Sequence, residues 1–226
     1  IFEKGSQWFA DLGLAKSGGT RLVTLSGSVN RPGTYEVVMN TSMRELIFDK
    51  EYCNGMPEGR SVKAVIPGGS SAPVLTADEL DVKLEFDAFK PLNSMAGSGG
   101  VIVMDDTTCM VRSLWRVARF YAEESCGQCT PCREGQPWMA RLCRKIEEGH
   151  GTMEDLEALG NVASAIAPWP PIGLGNTICA LGDAGALPVQ AFILKFRKEF
   201  EAHIEQKKCP TLFPYTTLFR SRKSVV

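Results

Sequence analysis

Three cysteines fall within seven residues, in Cys126-Gly-Gln-Cys129-Thr-Pro-Cys132. The pattern C-x₂-C-x₂-C lets one short loop offer thiolates to three corners of an iron–sulfur cubane, with the fourth ligand normally drawn from elsewhere in the chain. A single C-x₂-C would be ambiguous, because zinc and dithiol sites share it. A Cys₄ zinc site usually pairs two such knuckles, and the sequence has no second one. The two histidines, His150 and His203, lack ligand spacing to these cysteines. A disulfide framework also fits poorly, since bridging cysteines this close together would strain the backbone. The non-redox alternative is a Cys₄ zinc-stabilised interaction module, which would be colourless where an iron–sulfur protein is brown.

The remaining cysteines are Cys53, Cys109, Cys143, Cys179 and Cys209, and elimination selects the fourth ligand. Cys143 lies on the same helix as Cys132, about 16 Å further along its axis at 1.5 Å per residue. Cys109 is at the far end of the preceding helix, about 25 Å away by the same arithmetic. Cys53 belongs to a β-rich segment, and Cys209 borders an irregular tail. Cys179 remains, in the Gly-rich stretch Gly175-Asn-Thr-Ile-Cys-Ala-Leu-Gly-Asp183 ahead of a helix that Asp183 could cap. The expected ligand set is therefore Cys126, Cys129, Cys132 and Cys179. Thr130 as N-cap and Pro131 as first helical residue would start a helix there. Cys132 then sits in its first turn, facing the cluster with the helix's positive end. Arg133 adds charge nearby.

The elements that must hold these residues change character along the chain. Residues 1–19 contain a short amphipathic piece, with Trp8, Phe9 and Leu12 apolar, and end in a Ser-Gly-Gly linker. Residues 20–104 carry strand periodicity in 21–25, 34–38, 62–66 and 101–104, with a turn at Arg31-Pro-Gly33. Ser42 and Glu45 form a capping box before a short helix. That order predicts a small α+β roll of the β-grasp kind. Residues 105–210 are helical, with four apolar stripes at steps of three and four: Val111 to Ala122, Trp138 to Ile146, Leu156 to Ile166 and Val189 to Ile204. They predict a four-helix bundle. Lys195, Arg197, Lys198 and Glu199 read as a solvated charged face. Gly97-Ser-Gly-Gly100 lacks the lysine of a phosphate-binding loop and precedes a strand, so nucleotide binding there is not expected. Residues 211–226, with their repeated Thr-Leu-Phe, read as a non-native tail.

Composition excludes several function classes. The chain has 226 residues, 44% of them hydrophobic, enough to bury a core. Lys plus Arg (25) nearly balances Asp plus Glu (26), which leaves no basic footprint for nucleic acid. No apolar run approaches membrane-span length.

The motifs together resemble one family. Glu124-Ser-Cys-Gly-Gln-Cys-Thr-Pro-Cys-Arg-Glu-Gly135 resembles the iron–sulfur signature of the NADH-binding flavoprotein subunits of respiratory complex I. Thr177-Ile-Cys-Ala-Leu-Gly-Asp183 is similar to the second cluster segment of that family. Leu25-Ser-Gly-Ser-Val-Asn-Arg-Pro-Gly-Thr-Tyr35, Pro67-Gly-Gly-Ser-Ser71 and Gly97-Ser-Gly-Gly-Val-Ile-Val103 resemble its β-grasp (SLBB) domain. The resemblance implies an α+β architecture in which a β-grasp domain precedes a helical domain holding one [4Fe–4S] cluster. It implies electron transfer from NADH through FMN and this cluster toward quinone. The implied partners are a thioredoxin-like [2Fe–2S] subunit and a large multi-cluster subunit. The implied location is the cytoplasmic face of the membrane, or the matrix side in a eukaryote, held there through the complex. NAD-linked hydrogenases and formate dehydrogenases use an equivalent module. The family's FMN/NADH domain has no counterpart beyond residues 1–19, so the chain reads as a C-terminal piece that is not expected to oxidise NADH alone. The stretch from Ala167 to Gly175 is longer than the family pattern suggests.

Overall fold

The computed structural model describes residues 1–170 and 175–211. The extended stretch 167–175 falls partly outside them, and all but the first residue of the expected non-native tail does too. A short helix, α1 (Gly5–Asp11), leads into the strands β1 (Thr20–Gly27) and β2 (Gly33–Val38). These pair antiparallel with Leu25 opposite Gly33, so the Arg31-Pro-Gly33 segment closes a hairpin. Next comes α2 (Met43–Phe48), opened by the expected capping box: Ser42 Oγ accepts from Glu45 N, and the Glu45 carboxylate accepts from Ser42 N at 2.6 Å. Strands β3 (Val62–Ile66), β4 (Leu75–Thr76) and β5 (Gly100–Asp105) complete a sheet of order β2-β1-β5-β3-β4. Only β1 and β5 run parallel, at the centre. This is the β-grasp order, with α2 lying across one face. Sequence periodicity missed β4, whose two residues are too few to show a period.

Alternation along the strands gives each sheet face a different core. Val65 on β3 with Val101 and Val103 on β5 pack with Met43, Leu46 and Ile47 of α2. Ala64, Ile66 and Met104 point the other way and join the core of the helices. The four helices are α3 (Met110–Glu124), α4 (Thr130–Glu147), α5 (Met153–Ile166) and α6 (Leu181–Gln206). Their predicted stripes supply the bundle interior: Leu114, Met139, Cys143, Ile146, Leu159, Phe192 and Phe200 are fully buried. Each such side chain withdrawn from water stabilises the fold by about 1.5–3 kcal/mol.

Two expectations are corrected. Trp138 lies within an apolar stripe yet is 49% exposed, because its neighbour Met139 takes the inward position. Lys195 and Glu199 do not lie on a solvated face. Lys195 Nζ pairs with Glu79 Oε2 at 2.6 Å and Lys63 Nζ with Glu199 Oε2 at 2.7 Å, with little side-chain exposure. These two pairs stitch α6 to the sheet segment, a role that charge patterning alone does not reveal.

Candidate iron–sulfur site

The cysteine loop is held between two helix ends. Helix α3 stops at Glu124, and Ser125 turns the chain out with extended backbone. Gly127 has φ +75°, a left-handed conformation that favours glycine, and its N–H donates to Ser125 Oγ at 3.4 Å. Helix α4 begins at Thr130, with Cys129 rather than Thr130 as its N-cap. The one-residue shift follows from backbone pairing: Arg133 N donates to Cys129 O at 2.9 Å, which closes the first helical turn. Pro131 still lies in that turn, where its missing N–H costs nothing. The Arg133 guanidinium folds back over the loop, donating to Gly127 O at 3.1 Å and Thr130 Oγ1 at 3.4 Å. The same guanidinium pairs with Glu134 Oε1 at 3.0 Å, so the positive charge beside the three-cysteine loop is partly balanced.

The fourth thiol arrives at the start of α6. Cys179 immediately precedes the N-cap residue Ala180. Contrary to the expectation from sequence, Asp183 does not cap this helix; it lies within the first turn. Its Oδ1 accepts from Gly175 N at 2.7 Å and so ties the incoming loop to the helix. Gln136, fully buried one turn after Cys132, donates from Nε2 to Gly182 O at 3.0 Å. That bond sets the N-terminal turns of α4 and α6 side by side. First-turn N–H groups lack intrahelical acceptors, so both turns present donors and a positive helix end to the same region. An anionic centre held by thiolates suits such a place.

The thiols sense one another. Cys132 is buried, Cys129 half-buried, and Cys126 and Cys179 exposed. Burial is the main cause that pushes the Cys132 thiol up; negative charge on Cys129, Cys179 and Cys126 adds to it, and a contact with Ser125 Oγ at 3.2 Å opposes it. The four thiols are near enough to interact yet not gathered within 4.8 Å as a single-ion site would be. Thiolates around a tetrahedral zinc lie about 3.8 Å apart, from Zn–S bonds near 2.3 Å.

The structure also assembles a group that sequence reasoning missed. Cys109, His203 and Cys209 have donor atoms all within 4.8 Å of one another. Cys109 and His203 are 94 residues apart in sequence, so no local spacing could have flagged them. Cys143 is fully buried in the bundle core, as expected.

Comparison with known proteins agrees with this geometry. Residues 112–203 match the family model described as the NADH-ubiquinone oxidoreductase-F iron–sulfur binding region. The span runs from the first turn of α3 through both cysteine segments into α6. Relatives that match more than nine-tenths of the chain at 42–48% identity are F-type subunits of NADH-quinone oxidoreductases. It is 48% identical over 210 residues to the NADH-quinone oxidoreductase F 2 subunit of Rhizobium meliloti (strain 1021), covering 93% of this chain and 48% of that protein. It is 43% identical over 206 residues to the F-type NADH-quinone oxidoreductase subunit of Rickettsia rickettsii (strain Sheila Smith), covering 91% of this chain and 47% of the relative. The chain thus spans about half the length of the curated relatives it matches. Among solved structures, an air-oxidised NAD⁺-reducing [NiFe]-hydrogenase superposes with TM-score 0.76 at 31% identity, over 90% of this chain and 33% of that one. The H₂-reduced state of such an enzyme gives TM-score 0.77 at 28% identity, over 99% and 36%.

Proposed function

We propose that Cys126, Cys129, Cys132 and Cys179 hold one [4Fe–4S] cluster, and that the chain relays electrons toward quinone as part of an NADH-quinone oxidoreductase. The observation that carries this reading is the meeting of two cysteine segments at the adjacent N-termini of α4 and α6, inside the matched iron–sulfur region. A bound cluster supplies one-electron acceptance and release. The protein's own part is to hold the thiolates, to aim two positive helix ends and Arg133 at them, and to anchor the loops through Gln136 and Asp183. Positive charge there favours the more negative, reduced state.

In the whole protein, electrons would come from NADH by way of FMN and pass on to a thioredoxin-like [2Fe–2S] subunit and a large multi-cluster subunit. No helix among the described residues is long and apolar enough to cross a membrane, so attachment to the membrane is assigned to those partners. A second reading, an equivalent module of an NAD-linked hydrogenase, is favoured by the structural likeness to the [NiFe]-hydrogenase chains.

Anaerobic purification followed by iron, sulfide and EPR analysis tests the site. Wild-type chain should be brown, hold four irons per chain by the cubane's composition, and give an EPR signal on reduction. Cys179→Ala should lose or convert the cluster. Unchanged iron content and spectrum in that variant would rule Cys179 out as a ligand, and a colourless wild type holding a single zinc would overturn the redox reading.

A further inference from the structure

We propose that Cys109, His203 and Cys209 form a second metal site, one that takes a single zinc-class divalent cation and locks the end of α6 to the start of α3. It is separate from the four-thiol site and does not rest on that reading. Among the described residues, this is the group of three soft donors gathered within one ion's reach. Zn–S bonds of about 2.3 Å and Zn–N bonds of about 2.0–2.1 Å place tetrahedral ligands about 3.5–3.8 Å apart. Cys109 Sγ lies 3.3 Å from His203 Nε2, close to that edge length.

The histidine is already set as a ligand. Its Nδ1 lies 2.7 Å from Glu199 O, a carbonyl that can only accept, so Nδ1 carries the proton. Nε2 is then the ring nitrogen that faces the sulfur of Cys109, and the one a metal would take in place of any proton there. A backbone carbonyl fixing one ring nitrogen so that the other can bind metal is the usual support for a metal-bound histidine. His203 is fully buried and Cys109 is 8% exposed, so neither serves an exposed face. That burial disfavours Cys109 as a nucleophile, which needs access for substrate.

Each donor is positioned by a different element. Cys109 is the N-cap of α3, with Sγ accepting from Arg112 N at 3.3 Å. His203 sits on the last turns of α6. Cys209 follows the helix end, where Lys207 takes the left-handed C-cap conformation at φ +52°. The backbone of Lys207 presses against Gly149, where any Cβ would collide with it, which fixes the path of the chain into Cys209. The neighbouring carboxylate is already engaged: Glu199 accepts from Met110 N at 2.8 Å and pairs with Lys63. The described residues therefore provide three ligands, two sulfurs and one nitrogen, a set that selects zinc over hard cations.

The test uses the full chain, purified anaerobically with zinc present during expression, with zinc and iron measured on the same samples. Wild type should hold zinc in stoichiometric amount. Cys209→Ser should lose it while keeping the iron content and EPR signal of wild type, and Cys179→Ala should show the reverse pattern. His203→Gln serves as a second variant, read by the same zinc-to-iron comparison. Cobalt(II) added to metal-free protein should give thiolate-to-cobalt charge-transfer bands that vanish in Cys209→Ser. Zinc retained in Cys209→Ser, wild type that takes up neither zinc nor cobalt, or a Cys109–Cys209 disulfide found by mass spectrometry in protein kept reduced would each overturn the proposal. A failed four-thiol reading shows instead as missing iron with zinc intact.

Discussion

Gly185 gives the most discriminating perturbation, because two effects of known sign oppose each other there. It lies inside α6 and is buried. Replacing an interior helical glycine with alanine ordinarily stabilises by about 1 kcal/mol. At Gly185, however, a Cβ would sit 2.6 Å from both Cδ and Nε2 of Gln136, and closer still to its Oε1. Gln136 cannot retreat easily: it is fully buried, and its Nε2 is bonded to Gly182 O. Overpacking costs about 1–3 kcal/mol, and an amide pushed off its buried acceptor about 1–3 kcal/mol more. Set against the helix gain, Gly185→Ala should destabilise by about 1–5 kcal/mol, which lowers Tm by about 2–4 °C per kcal/mol in a chain of this size. Because Gln136 holds the α4 and α6 ends together, the same variant should lose part of its iron. Gly160, in α5, is the control: a Cβ there meets nothing within 4 Å, so Gly160→Ala should stabilise by about 0.5–1 kcal/mol. Thermal unfolding of both variants, with iron assay, reads the outcome. If Gly185→Ala matches or exceeds wild type in Tm, the close seam between α4 and α6 is wrong, and with it the argument that brings Cys179 beside Cys132.

Other expectations follow from packing and charge. Phe200→Ala empties a fully buried site in the bundle and should cost about 3–5 kcal/mol in denaturant unfolding. A double-mutant cycle on Lys195 and Glu79, with Met and Gln as replacements, should show coupling of about 0.5–3 kcal/mol; additive effects would mean that the pair does not tie α6 to the sheet. Burial alone would raise the Asp105 carboxyl, but hydrogen bonds from Thr107, Thr108 and Ser28 outweigh it and hold it below the usual carboxylate range. Its folded pKa is therefore the lower one, so its contribution is complete above about pH 4 and is lost as pH falls further. Asp105→Asn should flatten that acid limb when unfolding is followed across pH.

The parts of this molecule that show in its sequence are those written in consecutive residues. The capping box Ser42–Glu45 is a four-residue device and is present intact in the fold. The four helical stripes repeat over about two and a half turns or more, long enough for their period to dominate, and the cysteine loop carries three thiols within seven residues. Cys179 is reached from sequence only by exclusion, and its physical support comes from Gln136 and Asp183. Their buried bonds to Gly182 and Gly175 are contacts between segments, with no spacing to mark them. Lys195 and Glu199 mislead for the same reason. Charge on a helix face looks solvated until Glu79 and Lys63 are seen to arrive from elsewhere in the fold.

The cluster of Cys109, His203 and Cys209 carries this reasoning furthest. Cys109 reads as a cap at a helix start, His203 as one residue of an amphipathic helix, and Cys209 as the end of the regular fold; each has an adequate local explanation. What unites them is that α6 is long enough to bring its last turns back to the first turn of α3. Helix length and bundle topology create the site, and neither leaves a motif. Spacing is a sufficient signal for a ligand set carried on one loop. Where ligands come from the ends of different helices, the sequence records only residues compatible with the site, and the decisive information is the geometry of the closed bundle.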